Sequence, residues 1–383
     1  MTTKKSICVF TGSRAEYGIL EPLLREIKLS NSLELNLVVG SMHLSHEYGN
    51  TFKQIEQDGH LIDEKIDNLD YSNNISAIPK SAANLQALFS DYLLHKKPNL
   101  VLLLGDRYET HAAASTSLLM NIPVGHIHGG ELSEGSIDEQ LRHSITKMSH
   151  IHFCANEVYR KRIIQMGESP KNVFNTGSPG LDYLFNTQFL KIGEIMKEFD
   201  WKNQEPYLLF TYHSETIDSE NLESKLTHIF EFLKETGFKV LFSFSNSDYG
   251  GGYINKRIKE FCKTNSSKYK VYPNLGRFLY LSAMKNCLAV VGNSSSGLIE
   301  AEFFGKPCLN IGDRQKGRLR GKNVIDSDYQ NLRKNMKVLL SKEFLSKLSY
   351  GNCTYGDGNG SKKIVKILEL VDFDTRKSFF NVS

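Results

Sequence analysis

Acids, imidazoles and guanidinium groups crowd into the stretch from Gly105 to His143: Gly105-Asp106-Arg107, then His126-Ile127-His128-Gly129-Gly130-Glu131, then Asp138-Glu139 and Arg142-His143. Groups of these types, held away from bulk water, can remove a proton from carbon and pass one to a leaving group. Asp106 directly follows a five-residue apolar run, where a carboxylate is either a base in a cleft or a cap on the next helix. His126 and His128 are two residues apart, so in an extended segment both point to one side, and with Glu131 they could bind a metal. No further ligand stands at metal spacing nearby, and Gly129-Gly130 suggests close backbone approach, so the expectation is no metal. Asp138 sits in Ser136-Ile137-Asp138-Glu139, which has the form of a capping box. It either stabilises a helix end or supplies the second carboxylate of an acid/base pair. His213, after an apolar run in the second half, either hydrogen-bonds or protonates a leaving phosphate or is a solvated loop histidine.

Two glycine-containing turns suit an anion. Thr11-Gly12-Ser13-Arg14-Ala15-Glu16-Tyr17-Gly18 follows the first apolar run and leads into an amphipathic helix, setting backbone N–H groups and Arg14 at a helix start. It is no Walker loop and lacks the third glycine of a dinucleotide fingerprint, so it either binds phosphate or only turns the chain tightly. The second is Gly292-Asn293-Ser294-Ser295-Ser296-Gly297, with a helix carrying Glu300 expected at once. Its hydroxyl and N–H groups would hold a diphosphate, and Glu300, about one turn further in, would accept from ribose hydroxyls. The plainer alternative is a serine-rich N-cap. Arg314, in Gly312-Asp313-Arg314, could supply a counter-charge.

Positioning these groups falls to apolar runs that suit buried parallel strands, at residues 7–10, 35–39, 100–104, 122–127, 151–154 and 173–175. Helix-period segments lie between several of them: Leu20, Leu23, Leu24 and Ile27, and again Ile137, Leu141 and Ile145. A charged, aromatic stretch at about 189–205, holding the only tryptophan, Trp201, interrupts the alternation. Strands at 207–212, 239–244, 288–291 and 307–311 then resume it, with helices at about 220–235 and 297–304. The fold class expected is α/β, two Rossmann-like domains facing across a cleft. Residues 1–180 would form the N-terminal domain with the acid/base groups, 181–365 the C-terminal nucleotide-binding domain, and 366–383 a helical tail crossing back.

The 383 residues exceed the size at which one core usually stops growing, which agrees with two domains. Lys plus Arg number 47 against 43 Asp plus Glu, and the resulting +4 is spread without a long basic block, so nucleic acid is not an expected partner. Six cysteines form no CxxC pair, and no apolar run approaches the ~20 residues of a membrane span or a signal h-region. A cytoplasmic chain with reduced thiols and no membrane partner is expected.

Taken together, the motifs resemble the UDP-N-acetylglucosamine 2-epimerase family, in its hydrolysing branch from bacterial sialic-acid and related nonulosonic-acid synthesis. The carriers are Gly12-Ser-Arg14-Ala-Glu-Tyr17, Gly105-Asp106-Arg107, His126-x-His128-Gly-Gly-Glu131-Leu-Ser, Asp138-Glu-x-x-Arg142-His143-Ser-Ile-Thr-Lys147, Gly177-Ser178-Pro179 with Asp182, and Gly292-Asn-Ser-Ser-x-Gly297-x-x-Glu300. The resemblance covers nearly the whole chain. It implies a glycosyltransferase-B-like fold, a UDP-linked acetamido sugar as ligand, no cofactor, and a homodimer or homotetramer. Carried over by position, Ser294, Ser295 and Glu300 would bind diphosphate and ribose, with Arg14, Asn246 and Arg314 also lining the nucleotide cleft. Tyr17, Arg107, Ser296 and Gly297, from the same motifs, join them as substrate-binding candidates. Asp106, Glu131, Asp138 and His213 fall at or beside the acid/base and leaving-group positions. The implied reaction removes the proton from carbon 2 and expels the nucleoside diphosphate. Water then adds to the resulting 2-acetamidoglycal and releases the free 2-epimer.

One position departs from the pattern. Members acting on UDP-GlcNAc typically have His-x-Glu-Gly-Gly-Glu, whereas this chain has His128 at the first Glu. Either the base is Asp106, Asp138 or Glu131, or the pocket serves another sugar, and His128 joins the catalytic candidates. The sequence looks closer to enzymes of the legionaminic-acid route, whose substrate is a nucleotide-linked 2,4-diacetamido-2,4,6-trideoxyglucose. The alternatives are a non-hydrolysing epimerase, a metal-dependent hydrolase, or a glycosyltransferase on the same fold.

Overall fold

The computed structural model describes residues 4–382 apart from 73, 135, 136, 203, 215–221, 246–250, 273, 274 and 352. The chain divides into two compact units, Met1–Glu131 with Ile137–Phe185 and Tyr355–Ser383, and Leu132–Ser136 with Asn186–Thr354.

The first unit is built on seven parallel strands: β1 (Lys5–Thr11), β2 (Leu33–Gly40), β3 (Glu64–Ile66), β4 (Leu100–Leu104), β5 (Val124–Ile127), β6 (Ile151–Cys154) and β7 (Val173–Asn175). Their order is β3-β2-β1-β4-β5-β6-β7, so the winding reverses between β1 and β4. The loops after those two strands therefore part at the carboxyl edge, where open α/β sheets take ligands. Alternation along the strands feeds two cores. Ile7 and Val9 join Leu37, Val39, Leu102 and Leu104 under the helices Arg14–Leu29 and Gly360–Leu370. Cys8 and Phe10 join Val38, Val101 and Leu103 on the opposite face, under the helices Ala77–Lys96 and Tyr108–Leu119. That double burial explains why these strands read as continuous apolar runs.

The helix Gly360–Leu370 belongs to this first unit, although in sequence the whole second sheet lies between it and the strands it covers. Ile364 and Leu368 are fully buried in the core, worth roughly 1.5–3 kcal/mol each. At its start, the two carboxylate oxygens of Asp182 accept from the N–H groups of Gly360 (2.9 Å) and Ser361 (2.7 Å), a cap supplied by a distant residue. At its end, Lys5 Nζ donates to the carbonyls of Glu369 and Val371, each at 2.9 Å. The tail expected from residue 366 is thus helical only to Leu370, and 371–382 follow without regular structure. The apolar stripe that docks the helix already begins at Ile364, so the boundary expected at 365 cuts through it.

The second unit repeats the scheme with β8 (Tyr207–Thr211), β9 (Lys239–Ser243), β10 (Tyr269–Tyr272), β11 (Ala289–Gly292), β12 (Cys308–Ile311) and β13 (Val324–Ser327), in the order β10-β9-β8-β11-β12-β13 and all parallel. Here the reversal lies between β8 and β11. Leu208, Phe210, Phe242, Val291 and Leu309 form its core with Leu226, Ile258 and Met336 from the covering helices. Trp201 packs against Tyr207, with ring centroids 5.2 Å apart, so the aromatic stretch ahead of β8 covers the sheet face opposite Leu208 and Phe210. Both units are Rossmann-like α/β folds. The helix expected at 297–304 is instead a 3-10 turn, Ser295–Gly297, and a single turn of α-helix, Glu300–Phe303. The cause is close packing: a Cβ on Gly297 would stand 2.5 Å from Cys308 Sγ, which presses the turn onto β12. Among the described residues, no helix is long and apolar enough to cross a membrane.

Candidate active site

In the first unit the site grows from β4 and β5. Gly105 has φ +83°, the left-handed conformation that glycine adopts without strain, and turns the chain so that Asp106 leaves the strand end. The carbonyl of Gly105 accepts from Nε2 of His126 (2.8 Å), while Nδ1 of His126 faces the Thr146 hydroxyl at 3.1 Å. Burial pulls the His126 pKa down to about 3, so the ring is neutral and serves as a fixed strut. Asp106 pairs with the guanidinium of Arg142, which is 2% exposed and stands on the helix Ile137–Met148. A second nitrogen of Arg142 lies 3.5 Å from Oε2 of Glu131, itself 5% exposed. One guanidinium therefore stands between two carboxylates and orients both.

His128 does not share a side with His126. Its φ is +65°, so the backbone has left the extended form on which a paired-ligand reading depends. Its Nε2 is bonded to Ser178 Oγ at 2.9 Å, and its Nδ1 lies 3.5 Å from Oε1 of Glu131. Gly130 is pressed against the helix Glu157–Gln165, where a Cβ would meet the Tyr159 carbonyl at 2.6 Å. The glycine pair thus serves internal packing. Asp138 lies in the first turn of the helix Ile137–Met148, four residues before Arg142, while Ser136 of the expected capping box is outside the described residues.

The loop after β1 departs further from expectation. Ser13 caps the helix Arg14–Leu29, and Glu16 folds back so that its Oε2 accepts from the Gly12 N–H (2.9 Å) and the Ser13 hydroxyl (3.2 Å). The Gly12 N–H offered to a phosphate is consumed by the chain itself. Thr110 donates to Glu16 Oε1 at 3.1 Å, linking this loop to the one after β4. Burial raises the Glu16 carboxyl above the usual range; Arg107 opposes that and Glu109 adds to it. Arg107 is occupied by the fully buried Glu109, with contacts of 3.1 and 3.2 Å, so it stiffens the β4 loop rather than offering its fork to a ligand. Tyr17 is likewise a core residue, 4% exposed, its hydroxyl donating to Asp58 Oδ2 at 2.6 Å. Only Arg14 of the motif is an exposed cation.

In the second unit the loops after β8 and β11 meet through Asn293, which is fully buried. Its Oδ1 accepts from the His213 N–H (2.7 Å) and its Nδ2 donates to the His213 carbonyl (2.8 Å). Its own carbonyl accepts from Gln315 (2.9 Å) and Arg314 (3.3 Å). One asparagine therefore sets His213, the serine turn and Arg314 in register. Ser294 caps the 3-10 turn, its Oγ accepting from the Ser296 N–H at 3.4 Å and lying 2.9 Å from Ser296 Oγ. The hydroxyl series continues from Ser296 to Tyr280 (2.7 Å), Thr211 (3.3 Å) and Ser243 (2.6 Å). Burial lifts the Tyr280 phenol to about 12, so it stays protonated. Ser295 and Gly297 complete the turn, and because no long helix follows, the donors there act as individual groups without a macrodipole behind them. Burial also raises the Glu300 carboxyl, partly offset by Arg277. Asn246 lies outside the described residues.

Arg142, Ser178 and Asn293 stood inside motifs read from the sequence but were given no role of their own, and Tyr280 was not singled out. The spacing of Arg142 four residues after Asp138 was a usable signal for the first, since both then share a helix face. The others act by long-range contacts with no local signature.

These geometries can be set beside known proteins. Residues 25–369 match the family described as UDP-N-acetylglucosamine 2-epimerase. Over 384 residues the chain is 40% identical to GDP/UDP-N,N'-diacetylbacillosamine 2-epimerase (hydrolyzing) of Campylobacter jejuni, covering 99% of this chain and 100% of that one. It is 35% identical over 378 residues to polysialic acid biosynthesis protein P7 of Escherichia coli, covering 95% and 94%. It is 32% identical over 373 residues to UDP-N,N'-diacetylbacillosamine 2-epimerase (hydrolyzing) of Legionella pneumophila, covering 96% of each. The fold is shared with the crystal structure of UDP-GlcNAc 2-epimerase from Neisseria meningitidis bound to UDP-GlcNAc, at a TM-score of 0.80 and 21% identity over 95% of this chain and 99% of that one. Identity at these levels, sustained over whole chain lengths, carries the assignment: the chain belongs to the UDP-N-acetylglucosamine 2-epimerase family, in its hydrolysing branch.

Proposed function

We propose that this protein is a hydrolysing 2-epimerase acting on a UDP-linked 2,4-diacetamido-2,4,6-trideoxyglucose, with UDP-GlcNAc as the competing candidate. The observation that carries the reading is the Asp106–Arg142–Glu131 cluster at the carboxyl edge of the first sheet, with Arg142 and Glu131 buried and Asp106 partly exposed. The proton on carbon 2 is weakly acidic, so its removal must be coupled to loss of a good leaving group. A carboxylate of the Asp106, Glu131 and Asp138 set takes that proton, the C1–O bond breaks toward the diphosphate, and a C1=C2 bond forms. Water then adds its oxygen to carbon 1, and carbon 2 is reprotonated on the opposite face. The products are UDP and the free mannose-configured sugar.

In this reading the N-terminal unit supplies the acid/base groups and the C-terminal unit holds the nucleotide. Ser294, Ser295 and Ser296 hold the diphosphate, Glu300 accepts from the ribose hydroxyls, and His213 protonates or hydrogen-bonds the departing phosphate; Arg14, Asn246 and Arg314 are further candidates for nucleotide binding. Gly297 lets the serine turn lie against β12. His128, bonded to Ser178, stands where UDP-GlcNAc enzymes are expected to have a carboxylate, which supports the diacetamido sugar. The relatives named for diacetylbacillosamine support the same choice, and the polysialic-acid relative supports a place in nonulosonic-acid synthesis. Free thiols, five of the six buried, support a cytoplasmic setting. A homodimer or homotetramer is expected, to be checked by light scattering.

The test is incubation with each nucleotide sugar in deuterated water, followed by NMR. Free 2-epimer carrying deuterium at carbon 2, with UDP released, is expected. A product that keeps its glycosidic bond points to a non-hydrolysing epimerase, and free sugar without deuterium rules out elimination.

A further inference from the structure

The helix Ile137–Met148 presents Asp138 and Arg142 near its start, and its other end is gripped by the irregular segment 371–382. Lys377 Nζ donates to the carbonyls of Lys147 (2.7 Å) and Ser149 (2.6 Å), groups that helix geometry leaves without intrahelical partners. The same ammonium lies 2.7 Å from Oε2 of Glu168, which is 2% exposed and also bound by Lys147 and by Nε2 of His152 at 3.0 Å. Three further contacts fix the segment. The Phe380 N–H donates to the Gly167 carbonyl at 2.8 Å, and Phe379 packs so closely on Gly167 that a Cβ there would meet its ring at 2.2 Å. The Thr375 carbonyl lies 3.2 Å from Nε2 of His150. A cation at a helix C-terminus also complements the helix dipole.

From this geometry we infer that Lys377 is a positioning residue for the reaction: by capping the far end of the helix Ile137–Met148 it fixes where Asp138 and Arg142 stand. Arg142 lies about 9 Å along the axis from Met148, within one rigid helical body, so axial slip or fraying at the capped end displaces the guanidinium that orients Asp106 and Glu131. Ile145 in the core and Thr146 against His126 hold the middle of the helix, which limits the effect to alignment rather than folding. The inference rests on the assignment of Asp138 and Arg142 to the reacting end.

Lys377→Met and Lys377→Arg are compared with wild type by steady-state sugar release and by amide exchange across residues 142–149. For Lys377→Met a drop in kcat of roughly tenfold at unchanged KM is expected, with faster exchange in that segment. Lys377→Arg, which keeps charge and donors, should recover kcat to within about twofold of wild type. An unchanged kcat, a rise in KM alone, equal impairment by both substitutions, or unchanged exchange overturns the inference. A wild-type protein that releases no sugar rejects the functional assignment instead, and the exchange data alone then judge the clasp. If Lys377→Met does not fold, Lys377→Gln is measured in the same way.

Discussion

Replacing Arg142 by Met removes the guanidinium between Asp106 and Glu131 while keeping much of the side-chain volume. At 3.5 Å and an effective dielectric of 20, the Arg142–Glu131 attraction alone is about 5 kcal/mol before desolvation. Truncating one partner of a buried pair costs roughly 3–5 kcal/mol, because the other charge is left without compensation. The Asp106 side chain is 20% exposed and can rehydrate, whereas Glu131 at 6% cannot, so the lower end, about 3 kcal/mol, applies. For a unit of this size that corresponds to a fall in Tm of roughly 6–12 °C. Turnover should fall by at least about 100-fold, since both carboxylates lose their orientation, while UDP affinity, set by other residues, stays near wild type. Thermal melts, calorimetric titration with UDP and a sugar-release assay cover all three quantities. A Tm within about 2 °C of wild type with turnover retained would refute the argument, because a buried bridge between two carboxylates cannot be removed silently.

Ser294→Ala breaks the hydroxyl series at its first member; UDP affinity should fall about tenfold by calorimetry with kcat little changed, and a loss confined to kcat would move Ser294 out of nucleotide binding. At Glu168 burial alone would raise the carboxyl, yet hydrogen bonds from His152, Lys147 and Lys377 lower it to about 2. With the folded pKa depressed, its stabilisation is present above pH ~4.5 and lost as pH falls toward 2, so Glu168→Gln should flatten the acid limb of a stability–pH curve; an unchanged limb contradicts this. His128→Glu should bring in turnover of UDP-GlcNAc at the expense of the diacetamido sugar, read by product NMR, and no change in relative rates would show that this position does not select the substrate.

The central strands were legible because burial on both faces leaves little but apolar residues, so β1, β4, β6 and β8 coincide with runs visible in the sequence. Three of the four edge strands were not: β3, β10 and β13 carry charged or half-buried residues, such as Glu64-Lys65 and Asp326, and no apolar run marks them, whereas β7 was expected at 173–175. Gly12-Ser13-Arg14 read as an anion loop because its own Glu16, three residues past the cap, was not seen as the competitor for the Gly12 N–H. Tyr17 and Arg107 were chosen by motif, but Asp58 and Glu109 hold them, and only folding reveals such partners. The two histidines read as a pair only while the backbone was taken as extended through His128.

The cap that Asp182 places on Gly360 and Ser361 bears on how the polypeptide reaches its native state. Seven strands of the first sheet emerge from the ribosome with one face covered only in part, by the helix Arg14–Leu29, since Ile364, Val365 and Leu368 are translated only after the whole second sheet. The later-made sheet, nearly continuous in sequence, can close while the earlier one still waits for its final helix. Production of residues 1–185 alone would leave the remainder of that face bare and prone to self-association, so the N-terminal unit is best handled, and engineered, with its distant last helix attached.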